Sequence, residues 1–230
     1  MQQAYRALRI IAEAQTIRIV LAPEPDELML KELCIACESL HTESSSGIKA
    51  VVLDFNPTAT QLIRHSSQDA ADRITTIVES ACSAVRSISQ PVLAVVRATL
   101  SQPALSLMQV ADFTLVAEQA MLTVSNGKTG EEDTLSGLQA ARLGYVTWSA
   151  PASDISKHME RILDLLRAKS AVALRHAKAS VRLAAKDHAT RLEALQQVNT
   201  LYLIQLMQTH DAQEGLQAFI EKRKPDWKNT

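Results

Sequence analysis

Residues 90–120, QPVLAVVRATLSQPALSLMQVADFTLVAEQA, decide how this chain folds. The run QPVLAVV (90–96) is apolar, β-branched and short, as a buried strand requires. SQPALSLMQVA (101–111) has helical spacing with a proline at its start. ADFTLVAE (111–118) returns to strand character. The unit is strand–turn–helix–strand, and a turn of this kind holds a substrate through free backbone N–H groups. Pro103 occupies that turn and has no N–H to give.

The same alternation extends on both sides. IRIVLA (17–22) and KAVVLDF (49–55) read as short buried strands, and AMLTV (120–124) as another extended segment. Pro25-Asp26-Glu27 opens a helix that runs to about Leu40, with acids in its first turn. HTESSSG (41–47) reads as a loop. Asp69–Ser89 is the clearest helix, because Ile74, Ile77, Val78, Ala81, Val85 and Ile88 share one face. Strands and helices in alternation predict an α/β core, assigned here to residues 1–150.

From Ser153 the character changes. ISKHMERILDLLRA, AVALRHAKASVRLAAK, TRLEALQQVNTLYLIQLM and AQEGLQAFIEKR read as successive helices with few turn signals. Residues 151–230 are therefore assigned to a helical region. In its third helix, Leu192, Leu195, Val198, Leu201, Tyr202, Ile204, Leu206 and Met207 cover more than one stripe. That pattern predicts burial on several sides, partly against a neighbouring subunit.

Composition narrows the function classes. The 230 residues carry a formal net charge of −1 with both signs interspersed, which offers nothing to attract nucleic acid or a membrane surface. The N-terminus MQQAYRALRI lacks an apolar signal core and no apolar run approaches a membrane span, so a cytoplasmic protein is expected. Cys34-x-x-Cys37 lies in a helical pattern with no second ligand pair, so reduced, packed thiols are expected rather than a metal. Four of the histidines (His158, His176, His188, His210) are scattered over helices without metal-ligand spacing, and no metal site is assigned. Only 6 of the residues are glycine, about 3% against a usual ~7%, which leaves little for close backbone approach to a ligand.

Several segments, in order along nearly the whole chain, resemble the crotonase superfamily, the enoyl-CoA hydratase/isomerase family. KAVVLDF, a long helix and QPVLAVVRA are similar to that family's strand, helix and "PVIAAVNG" strand. ADFTLVAEQAMLTV resembles its "CDIRIASENAKFG" pair, SAVALRHAKASV (170–181) its "SPLALRLAKxAL" helix, and GLQAFIEKRKPDWK (215–228) its "GxxAFLEKRKPxF" ending. The resemblance implies a ClpP/crotonase-like α/β spiral of ββα units with a C-terminal helical, trimerising region. It also implies a homotrimer or dimer of trimers and an acyl thioester of coenzyme A or acyl-carrier protein as ligand. A hetero-oligomer with an intact homologue is a further expected arrangement. In that family two backbone N–H groups meet the thioester oxygen as it becomes an enolate, and carboxylates move the protons.

Carried over residue by residue, the pattern breaks where the chemistry should be. Arg97-Ala98 stand where the family has Asn-Gly, and Gln102-Pro103-Ala104 lie over its glycine triplet, whose middle N–H is a donor. Ser106 replaces the first glutamate. The segment with the second glutamate, "GxxPGxGGTQRL", is missing between MLTVSNGKTG and EEDTLSGLQAARLGYVTWSAP, a gap of roughly thirty residues on the family frame. The region matching the "FSAGxD" turn, NPTATQLIRHS (56–66), has no glycine.

The candidate catalytic residues are Arg97, Ser106, His65 and Asp54, with Arg64 near them. Arg97 is suited to a bidentate anion contact, but a structural salt bridge or a solvent-exposed position is the preferred reading. Ser106, Ser101 and His65 lack a nucleophile-elbow motif. Glu131, Glu132 and Asp133 follow the shortened loop and could replace a lost acid; capping of a following helix is the preferred reading. Lys222, Lys224 and Phe219, in and beside the EKRK run, are assigned by the resemblance to coenzyme A contacts from a neighbouring subunit. No cofactor is expected beyond a coenzyme A thioester as ligand. The expected function is a non-catalytic, auxiliary member of an acyl-thioester pathway of fatty-acid or polyketide type. The alternative is an active isomerase, decarboxylase or dehydratase with relocated chemistry.

Overall fold

The computed structural model describes residues 5–40, 47–59, 70–125, 132–184, 198 and 200–229. Its main sheet has six strands, here β1 (Arg9–Glu13), β2 (Thr16–Leu21), β3 (Ala50–Phe55), β4 (Val92–Val96), β5 (Phe113–Ala117) and β8 (Trp148–Ala150), in that spatial order. β1 pairs antiparallel with β2, and every later pair in this sheet is parallel. A separate antiparallel pair is formed by β6 (Met121–Ser125) and β7 (Glu132–Ser136). The helices are α1 (Glu27–Ser39), α2 (Ala70–Ser87), α3 (Gln102–Gln109), α4 (Gly137–Arg142), α5 (Ile155–Arg167), α6 (Ala171–Ala184) and α7 (His210–Glu221).

β3 and β4 are buried along their whole length, as parallel strands covered on both faces must be. Alternation sends Ile19, Leu21, Val51, Leu53 and Phe55 to one face, and all five are fully buried with Leu30 and Leu33 of α1 in the same core. The opposite face is covered by α5, whose Ile155, Met159 and Leu163 are buried at i, i+4, i+8 spacing. Arg167 closes that helix onto the sheet, donating from Nη2 to Thr16 Oγ1 at 3.1 Å. Asp26 caps α1 by accepting from the Met29 N–H at 2.8 Å, and Cys34 and Cys37 pack within the helix. Burial pushes the Cys37 thiol up to about 12.

Four sequence expectations change. β1 and β7 are strands that the pattern did not mark. β1 is preceded by a segment held by the buried Glu32 carboxylate, which accepts from the N–H groups of Arg6, Ala7 and Leu8 at 2.8, 2.9 and 3.2 Å. Glu132 and Asp133 lie on β7 rather than at a helix start, because Ser136 and Gln139 already form a capping box on α4; Glu131 lies outside the described residues. In the third C-terminal helix, Leu201–Leu206 is a π-helical segment with Tyr202, Leu203 and Ile204 exposed, while Leu192, Leu195 and His188 fall outside the described residues.

Gly137 starts α4 against the end of β5. A Cβ there would lie 2.3 Å from the Ala117 carbonyl oxygen and 2.8 Å from Val116 Cγ1. Gly137→Ala is therefore expected to destabilise by about 1–3 kcal/mol, lowering Tm by several degrees in calorimetry.

The start of β5 is tied to α6. Asp112 accepts from the Val92 N–H at 2.7 Å and pairs with Lys178 Nζ at 2.6 Å, and Lys178 also donates to the Gln90 carbonyl at 2.7 Å. Desolvation pulls the Lys178 amine down to about 8, against the pull of Asp112 in the other direction. Between that value and its unfolded value of 10.5 the unfolded chain binds more protons, so this group raises stability as pH rises through the window. Buried thiols such as Cys37 act in the opposite sense. The expected readout is thus the difference between wild type and Lys178→Met, whose pH slope lacks the gain.

Candidate active site at the carboxyl edge of the sheet

Ligands of open parallel sheets bind outside the carboxyl ends of the strands. Four connections meet at that edge here, following β2, β3, β4 and β5. Ser101 ties two of them, donating to the Pro23 carbonyl from its N–H (3.0 Å) and its hydroxyl (3.1 Å). Asn56 shapes the β3 loop, its side-chain oxygen accepting from the Thr58 N–H and hydroxyl at 3.0 and 2.8 Å. Beside that loop lies a polar cavity of about 230 Å³, lined in part by Arg6, Arg9, Thr58 and Ala59.

α3 begins at this edge directly after Ser101. Gln102, Pro103 and Ala104 form its first turn, and the Ser101 side chain makes no capping bond there. First-turn N–H groups have no intrahelical acceptor and are the donors a ligand oxygen would meet. Pro103 removes the second of the three. Ser106, one turn on, donates its hydroxyl to the Gln102 carbonyl at 3.1 Å, so its proton is committed within its own helix.

Asp54 and Arg97 are brought together. Asp54 is fully buried at the end of β3, and Arg97 Nε donates to its Oδ1 at 2.7 Å. Arg18 of β2 holds the other oxygen, from Nε at 2.9 Å and from Nη2. Arg97 Nη1 reaches Ser156 Oγ at the start of α5 (3.0 Å), and its Nη2 is buried without a partner among the described residues. Register explains the cluster. Arg18 pairs with Val52 and Asp54 with Val20 and Val95, so Arg18, Asp54 and Arg97 share one face, the one beneath α5. Arg18 was legible as a charged residue inside an otherwise apolar strand, on the same face as an acid two residues along the neighbouring strand.

His65 and Arg64 lie outside the described residues. Phe219, Lys222 and Lys224 stand together at the end of α7, with Phe219 83% exposed. Within the EKRK run Arg223 is taken, pairing with Glu214 and Glu221 at 2.5 Å each. Those contacts hold the Glu214 carboxyl down to about 2, led by the Arg223 bond. Lys222 caps the helix in the left-handed region (φ 53°), and neither its ammonium nor that of Lys224 has a partner among the described residues. The tail that follows is pinned by the buried Asp211, which accepts from the N–H groups of Lys228 and Asn229 at 2.8 and 3.0 Å.

One acid at the carboxyl edge escaped the sequence reading. Glu118 directly follows β5, is half-buried, and has no side-chain partner among the described residues. Only its place at a strand end marked it. Among the described residues no cluster of His, Cys, Asp and Glu could hold a metal, and no helix is long and apolar enough to cross a membrane.

Known proteins place this architecture. Residues 131–230 match the family model described as enoyl-CoA hydratase/isomerase. A segment of 61 residues is 49% identical to the cyclohexa-1,5-dienecarbonyl-CoA hydratase of Thauera aromatica, covering 26% of this chain and 22% of that one. The chain thus matches under a quarter of that relative's length. The enoyl-CoA hydratase of Bacillus anthracis superposes with a TM-score of 0.79 at 19% identity, over 98% of this chain and 100% of that one. The enoyl-CoA hydratase of Mycobacterium smegmatis does so at 0.76 and 20% identity, over 96% and 99%. The chain thus shares its fold with these enoyl-CoA hydratases along nearly its whole length, and its residues 131–230 are similar to the enoyl-CoA hydratase/isomerase family.

Proposed function

We propose that the chain binds an acyl thioester of coenzyme A or of an acyl-carrier protein without hydrating it, as an auxiliary, non-catalytic member of an acyl-thioester pathway. The observation that carries this reading is the first turn of α3. Pro103 stands there without an N–H, and Ser106, one turn on, has a hydroxyl bonded inside the helix where a carboxylate would be needed. Asp54, a fully buried acid near this edge, has both oxygens engaged by arginines, which favours a structural ion pair over a proton carrier. The Thauera relative is named as a hydratase of a coenzyme A ester, which supports the thioester as ligand.

The ammonium groups of Lys222 and Lys224, without partners among the described residues, and the exposed Phe219 suit the phosphates and base of coenzyme A held across a subunit boundary. The exposed apolar side chains Tyr202, Leu203, Ile204, Leu216 and Ile220 support a homotrimer, a dimer of trimers or a hetero-oligomer with an intact homologue. A cytoplasmic setting goes with this reading.

Thermal-shift titration tests it. Saturating coenzyme A or an acyl-CoA, at about 100 times Kd, is expected to add ~2.7 kcal/mol and raise Tm by several degrees. No shift with any thioester removes the binding role. Replacing both Lys222 and Lys224 with Gln is expected to weaken coenzyme A binding about tenfold, with a smaller loss at high salt.

A second reading rests on Glu118, an acid at the same edge with no side-chain partner among the described residues. In it the chain is an isomerase, decarboxylase or dehydratase whose proton carrier is Glu118. Thioester turnover that disappears in Glu118→Gln would favour it over the first reading.

A further inference from the structure

A second cavity lies at the other edge of the sheet, where β4 and β5 begin. It encloses about 330 Å³ between those strand ends and helices α5 and α6. Phe113, Leu166, Leu174 and Val181 supply its apolar wall. Its polar groups are gathered at one place: Asp112, Lys178 and Arg182.

Those three groups do not balance. Asp112 is the only acid among them; its Oδ2 accepts from the Val92 N–H and from Lys178 at 2.6 Å, and its Oδ1 faces Arg182 at 3.7 Å. Two cations against one carboxylate leave a net charge of about +1 beside the apolar wall. Arg182 is 39% exposed on its side chain and anchored by one Nη to the Arg86 carbonyl, so the guanidinium keeps donors to offer. At the ~30 Å³ that a water molecule occupies in the liquid, the cavity has room for about ten non-hydrogen atoms. Apolar cavities of this size with a few convergent polar groups are the usual form of a small-molecule site.

We propose that this cavity binds a medium-chain carboxylate of about eight carbons, its chain along Phe113, Leu166 and Leu174 and its head group on Arg182. The site is separate from the carboxyl edge and does not depend on the thioester reading.

Phe113 stacks on Trp148 with ring centroids 5.8 Å apart, so indole fluorescence reports occupancy. The full chain is titrated with octanoate, and with octylamine as the charge-reversed probe, by fluorescence and calorimetry. One octanoate per chain is expected, with octylamine at least about tenfold weaker. Arg182→Gln is expected to weaken octanoate about tenfold and leave octan-1-ol unchanged. Ala177 is exposed at the rim, so Ala177→Phe can block the cavity without entering the core, and should abolish binding.

Several outcomes overturn the proposal. They are no saturable octanoate signal, equal binding of octylamine, or undiminished binding in Ala177→Phe, which would move the site elsewhere. A change of molar mass in light scattering on Ala177→Phe would also overturn it, because a second copy of the chain would then fill the cavity.

Discussion

Crotonyl-CoA is expected to be hydrated by this chain at least ~10⁴-fold more slowly than by an intact hydratase of the same fold. Two losses multiply. Removing one preorganised donor to a developing oxyanion costs ~10²–10³ in rate, because the negative charge then forms against no dipole. Removing a positioned acid or base costs a further ~10²–10⁴. Pro103 accounts for the first, at the second residue of α3. Ser106 accounts for the other, since its hydroxyl serves the Gln102 carbonyl and cannot take the place of a carboxylate. Pro103→Gly alone is expected to recover little on the reading proposed above, in which Ser106 offers no proton carrier. Pro103→Gly with Ser106→Glu is the combination expected to raise the rate by at least ~10².

The second large effect is on stability. Asp54→Asn is expected to cost about 3–5 kcal/mol, which for a chain of this size lowers Tm by roughly 10 °C. The side chain is the same size, so packing survives and charge is what changes. Asp54 is fully buried and offers one oxygen to each of two arginines whose side chains are only 22% and 16% exposed. Without the carboxylate, two guanidinium groups face each other with their counter-charge gone. Restoring neutrality should restore stability: Asp54→Leu combined with Arg18→Met and Arg97→Met is expected to recover most of the loss, since buried ion pairs replaced by apolar groups of similar volume are often neutral or better. A double-mutant cycle between Asp54 and Arg97 measures their coupling. Additive effects would mean that the arginines find other partners or water.

Much of this architecture was written in local pattern. The buried parallel strands announced themselves as apolar β-branched runs, and α2 by one apolar face. The hairpin joining β1 to β2 did not. Its turn places Ala14 and Gln15 at φ 39° and 66°, where sequence signals would lead one to expect Asn-Gly, so nothing marked it. β7 was masked by its acids, which suit a helix start as well as an exposed strand. The π-helical stretch 201–206 carries helical spacing like any other, and its exposure is decided by what packs on it.

The candidate site divides along the same line. The lack of an N–H at Pro103 and of a carboxylate at Ser106 could be read at once, because both are properties of a residue wherever it is placed. Arg97 was ambiguous, since an arginine suits both an anion contact and a structural pair. Only the register of β2, β3 and β4, which sets Arg18 and Arg97 on either side of Asp54, decides for the ion pair. That Lys222 and Lys224 have no partner among the described residues likewise goes with Arg223 having turned to Glu214 and Glu221.

Calorimetric titration of the full chain with crotonyl-CoA, followed by analysis of the thioesters left in the cell, tests binding without hydration most directly. The account predicts a saturable isotherm and 3-hydroxybutyryl-CoA at the level of a protein-free control. Accumulation of 3-hydroxybutyryl-CoA in proportion to protein would contradict it.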